Sequence, residues 1–89
     1  MSTMYNVFTI EFDNKKPSRA QVLKKVQSAI KDGHKAIEVL WGENWLQLDF
    51  HPSHHKWYGS GWIKDIGGDA IVDTLNEQHK NELLNLWNT

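Results

Sequence analysis

Asp49, His51, His54 and His55 lie within seven positions of one another and together offer one carboxylate and three imidazoles, the ligand types that suit zinc or a similar divalent ion. Their spacing argues against such a site. Pro52 places them on a loop, where nothing forces the rings toward a common point, and no His-x-x-x-His pair on a helix is present. With no cysteine in the chain and no serine in a recognisable nucleophile context, a histidine here also has no group to activate. No phosphate-binding loop and no paired-carboxylate pattern appear. The chain is therefore expected to be non-catalytic, without metal and without cofactor. A metal-dependent enzyme built on His51, His54, His55 and Asp49 is the alternative from that side.

The stronger signal is aromatic. Between Leu40 and Trp62 stand four of the five tryptophans, Trp41, Trp45, Trp57 and Trp62, together with Tyr58. Strand alternation prevents all of them from facing one way. Some should reach an uncovered sheet face, where Trp and Tyr serve as anchors for a protein partner or as platforms for unstacked bases. The expected partner-binding set is Trp45, His51, His54, His55, Trp57, Tyr58 and Trp62. Single-stranded nucleic-acid binding is the alternative, with Trp57, Tyr58 and Trp62 stacking on bases and Lys56 and Lys64 meeting phosphates.

Those residues need a frame, and 89 residues suffice for a single domain over 1–89. From Tyr5 to Phe12, Phe8, Ile10 and Phe12 alternate with Val7, Thr9 and Glu11, the period of a half-buried strand. Ser18 and Gln21 have the spacing of a capping box, so a helix starts at Arg19. Val22, Leu23, Val26, Ala29 and Ile30 form its apolar stripe, Lys24, Lys25, Gln27 and Lys31 point outward, and Gly33 ends it.

Ala36 to Trp41 and Trp45 to Phe50 then form a hairpin whose register follows from parity. A two-residue turn at Gly42-Glu43 pairs Trp41 with Asn44, which sets Val39 against Leu46 and Ile37 against Leu48. A three-residue loop would set the same apolar residues against Gln47 and Asp49. The two-residue turn is therefore expected, with Gly42 supplying the positive φ of a type II′ turn. Its opposite face carries Trp45 beside Leu40 and Gln47 beside Glu38.

A fourth strand, Lys56 to Ile63, alternates Trp57, Gly59, Gly61 and Ile63 with Tyr58, Ser60 and Trp62. Its small residues call for a large ring over them. After Gly67-Gly68, Asp69 is expected to cap a final helix. Ile71, Val72 and Leu75 begin its apolar stripe, which resumes at Leu83, Leu86 and Trp87 beyond a polar run, 76–82, that contains no Gly or Pro. One continuous helix touching the core at both ends is expected. The fold class is α+β, in the order β-α-β-β-β-α, with a mostly antiparallel four-stranded sheet and two helices on one face.

From Ser18 onward this order resembles the double-stranded RNA-binding domain, a family that grips phosphates with lysines at the start of its last helix and reaches a minor groove with its first hairpin loop. Here the corresponding segments read Asp69-Ala70-Ile71-Val72-Asp73 and Gly42-Glu43-Asn44. They carry acids where RNA phosphates require positive charge. The resemblance therefore implies element order and not function.

Ten basic and eleven acidic residues give a formal charge of -1, which argues against a general duplex-DNA binder. The absence of cysteine and of any long apolar run is expected of a cytoplasmic protein with no membrane span. A small, aromatic-rich, near-neutral chain of this style is expected to be an interaction module, of the kind that bacteriophages and mobile elements use as inhibitors of host complexes such as defence nucleases. An exposed edge strand, Tyr5 to Phe12 or Trp57 to Ile63, would also allow a homodimer.

Overall fold

The computed structural model describes residues 7–13, 15–61 and 67–87, apart from the side chain of Trp87. Tyr5, Trp62, Ile63 and Lys64, all named above, lie outside the described residues. The elements are β1 (Phe8–Phe12), α1 (Arg19–Lys31), β2 (Ala36–Trp41), β3 (Asn44–His51), β4 (Lys56–Gly61) and α2 (Gly68–Trp87).

The four strands form one sheet in sequential order, β1-β2-β3-β4. It is mixed: β2-β3 and β3-β4 are antiparallel, but β1 runs parallel to β2. The expectation of a mostly antiparallel sheet holds for the three later strands and needs correction at β1. A helix separates β1 from β2, and such a crossover lets the second strand re-enter in the direction of the first.

One face of the sheet and both helices share a core. Ile10, Ile37, Val39, Trp41, Leu46, Leu48 and Trp57 from the strands meet Val22, Val26 and Ala29 of α1 and Ile71 and Leu75 of α2. At about 25 cal/mol per Å² of apolar surface removed from water, each of these larger side chains stabilises the fold by roughly 1.5–3 kcal/mol before chain entropy opposes it.

The ends of α1 follow from its sequence. Ser18 N–H donates to Gln21 Oε1 (2.8 Å) and Gln21 N–H donates to Ser18 Oγ (3.1 Å), closing the capping box. At the other end Gly33 takes φ +99°, its N–H donates to the Ile30 carbonyl, and the His34 N–H donates to the Ala29 carbonyl. These two bonds make a Schellman motif that satisfies carbonyls the helix would otherwise leave free.

The β2-β3 hairpin has the two-residue turn, with Trp41 opposite Asn44, Val39 opposite Leu46 and Ile37 opposite Leu48. Gly42 has φ +58°, while His55 is the only non-glycine at positive φ among the described residues, so Glu43 is not in that region. This pattern fits type II′ and excludes type I′.

The final helix is continuous, as expected, and differs at both ends. Asp69 lies inside its first turn rather than capping it, where its charge still suits the helix dipole. Leu83 and Leu86, expected to return to the core, are exposed, Leu86 by 73%. Residues 81–86 are all exposed, so the last turns of the helix add nothing to the buried core. Among the described residues no helix is long and apolar enough to cross a membrane.

Candidate functional site

The face of the sheet turned away from the helices is defined by the same register that builds the core. Thr9, Glu38, Gln47 and Ser60 lie in one row across it, and Glu11, Leu40 and Trp45 in the next. On the other side of the central row, Asp49 pairs with Tyr58 and His51 with Lys56. Hydrogen bonds hold the middle of this face: Thr9 Oγ1 donates to Glu38 Oε1 (3.0 Å) and Gln47 Nε2 donates to Asp49 Oδ1 (2.9 Å).

An exposed ring stands at each end. Trp45 is 43% exposed and Tyr58 41%. Trp45 lies against Gly61: a Cβ placed on that glycine would sit 2.6 Å from the Trp45 carbonyl oxygen and 2.8 Å from Cε3 of its ring. The glycine-thinned strand thus has the large neighbour it requires. Tyr58 is held by two histidines, with the His51 ring 4.5 Å away and tilted by 56°, and its hydroxyl 3.2 Å from His54 Nδ1. Tyr58 pairs with Asp49, which lies four residues along β3 from Trp45, so about 13 Å of strand separates the two rings, at about 3.3 Å per residue. Two aromatic ends flank a polar middle.

The expected partner-binding residues divide accordingly. Trp45, His51, His54 and Tyr58 share the open face. His55 does not: its ring stacks 6.3 Å from that of His79 on α2, lining a separate cleft of about 490 Å³ with His54, Asp73, Glu77 and Lys80. Trp57 is turned the other way altogether. It pairs with Phe50, packs on it at 5.5 Å between ring centroids, and is 4% exposed. The four-residue loop Pro52 to His55 sets this register, and Phe50 already points toward the helices. A base or a partner therefore cannot stack on Trp57 in this fold. Trp62 lies outside the described residues. Among the described residues no group of three or more His, Asp or Glu is placed to hold a metal ion.

Charge completes the picture. Glu11, Glu38 and Asp49 point out from the sheet, with Lys56 as the cation at its far end, whereas α1 carries Arg19, Lys24, Lys25 and Lys31 and no acid. Beside Trp45 a hollow of about 560 Å³ is lined by Leu40 and by three carboxylate residues, Glu11, Asp13 and Glu43. Leu40, Glu11 and Glu43 are absent from the expected set; strand parity puts Leu40 beside Trp45, whereas Glu11 joins that row only through the parallel pairing of β1 with β2. Comparison with known proteins finds no matching family model, no matching curated protein and no matching solved structure.

Proposed function

We propose that this protein is a non-catalytic interaction module whose open sheet face binds a basic surface on a partner protein. The observation that carries this reading is the position of Trp45, exposed beside a hollow lined by Glu11, Asp13 and Glu43. An arginine entering there stacks its guanidinium on the indole and donates hydrogen bonds to carboxylates, a combination open to no neutral side chain. Tyr58, braced by His51 and His54, is the second anchor, and the Thr9, Glu38, Gln47 and Asp49 strip between them fits a polar, hydrated contact. The same carboxylates repel phosphates, which weighs against nucleic acid on this face. A partner surface that normally faces nucleic acid has the required charge, and a module covering it acts as an inhibitor of the host complex that owns it.

The test is co-purification from bacterial lysate with the native chain, Trp45→Ala and Glu11→Lys, followed by affinity measurement on whatever protein is captured. Truncating Trp45 should cost about 2 kcal/mol of binding, or roughly thirtyfold in Kd. Glu11→Lys should weaken binding as well, and added salt should weaken the native complex. Capture that survives both substitutions, or that is carried by oligonucleotide rather than protein, would sink the reading.

A further inference from the structure

The two edges of the sheet are treated differently. At β4 the outer edge is engaged at Trp57, whose N–H and C=O both bond to the side chain of Asn76, and α2 packs along this strand. At β1 no described strand pairs with the outer edge. Beside that edge runs a groove of about 300 Å³ between β1 and α1, lined by Phe8, Ile10, Lys25, Ser28, Ala29 and Asp32. A free strand edge is a template for another strand, and folds that avoid pairing blunt it with a charge, a proline or a covering element. Here the only charge on β1 is Glu11, and Phe8 is 37% exposed at the rim.

The geometry points to a second copy of this chain as the occupant, joined by antiparallel pairing of β1 with β1 about a two-fold axis. The register that uses all five residues of β1 centres on Ile10, so that Phe8 faces Phe12 of the partner subunit and Thr9 faces Glu11 of the partner subunit. Rings thus meet rings, and each Glu11 meets a hydroxyl instead of another carboxylate. Directly opposed residues share a face of the sheet, so both α1 helices lie on the same side of the seam.

The helices fit that arrangement. α1 lies over β1 and β2 alike. With strands about 4.8 Å apart, the two copies of α1 come to about 10 Å, at the upper end of ordinary helix packing. They cross antiparallel near Ser28 and Ala29, where the side chains are small. An axis between these two residues sets Lys25 of each copy against Asp32 of the partner subunit, two symmetric ion pairs across one seam. The assembly is a continuous eight-stranded sheet, and it joins the two open faces into one surface with a Trp45 and a Tyr58 on each half. It rests on β1 and α1, not on the partner-binding reading above, and either can fail alone.

Sedimentation equilibrium of the full chain over a range up to millimolar concentration tests it, with thermal melts to confirm folding. The native chain should dimerise. Lys25→Glu and Asp32→Lys should each raise the dimer Kd by about tenfold, since each replaces two attractive pairs with two repulsive ones. The double variant Lys25→Glu/Asp32→Lys should recover native affinity. Lysine at position 32 also suits the C-terminal end of a helix, so the fold tolerates it. A chain that stays monomeric throughout would overturn the assignment. So would a dimer that ignores the single charge changes, a pair of weakened singles with no recovery in the double, or a dimer dissolved by Leu84→Asp on α2 instead.

Discussion

The carboxamide of Asn76 completes the sheet at Trp57. The Trp57 N–H donates to Asn76 Oδ1 at 2.7 Å, and Asn76 Nδ2 donates to the Trp57 carbonyl at 3.1 Å. One side chain thereby does what a neighbouring strand's peptide would do, and fastens α2 to the edge of β4. The backbone groups involved are partly buried, so removing the amide strands them with little water. Asn76→Ala should destabilise the fold by about 2–3 kcal/mol, read from urea denaturation. Asn76→Asp should not restore it, because a carboxylate keeps the acceptor for the N–H but faces the Trp57 carbonyl with no donor. Amide exchange at Trp57 should quicken in the Ala variant. Unchanged exchange and stability would mean that the amide pair contributes nothing.

Two glycines separate backbone strain from steric conflict. Gly33 (φ +99°) has nothing within 4 Å of where a Cβ would stand, so Gly33→Ala carries only the left-handed backbone term, about 1 kcal/mol. Gly61 (φ +92°) has a similar backbone but would drive its Cβ against the Trp45 carbonyl and ring. Gly61→Ala should therefore cost clearly more, about 2–4 kcal/mol, and should shift the Trp45 environment in near-ultraviolet circular dichroism. Equal losses at the two positions would remove the argument that Trp45 is seated on this glycine.

Much of the fold is legible in local chemistry. The capping box at Ser18 and Gln21, the stop at Gly33 and the hairpin register all reduce to side-chain spacing and parity, which the strands obey because a one-residue slip would turn Val39 and Ile37 onto polar partners. The direction of β1 is not encoded that way, since alternation is the same in parallel and antiparallel pairs; the intervening helix was the available sign. The face that Trp57 takes is not written in its own strand, whose alternation is symmetric; the register across the Pro52 to His55 loop decides it. The role of Asn76 leaves no periodic trace at all, because a side chain bonds a backbone 19 positions away. On the open face, the ends were legible as aromatic residues, whereas the carboxylates around Trp45 come from three separate segments of chain.

Trp57 and Trp45 should behave oppositely when truncated. Trp57 is 4% exposed and contacts Phe50 within the core, so Trp57→Ala should cost about 3–5 kcal/mol, a large share of the stability that a domain of this size possesses. Trp45 is 43% exposed, and Trp45→Ala should leave the urea midpoint close to native while weakening binding roughly thirtyfold. Comparable destabilisation by the two would show that Trp45 belongs to the scaffold rather than to a recognition surface.

His55 offers the reverse case, a position where substitution should strengthen the fold. It closes the loop between β3 and β4 with φ +52°, and the loop is already fastened by His54 N–H to the His51 carbonyl (3.1 Å) and His55 N–H to the Pro52 carbonyl (3.2 Å). A side chain in the left-handed region costs roughly 1 kcal/mol, partly offset in glycine by the greater freedom of its unfolded chain. His55→Gly should therefore gain about 0.5 kcal/mol, which for a domain this small raises Tm by about 2–4 °C. Its loss from the cleft with His79 should leave binding at the open face untouched, since His51 and His54, not His55, brace Tyr58. A lower Tm would mean that the stacking on His79 outweighs the backbone strain, and weaker binding would bring His55 back into the recognition surface.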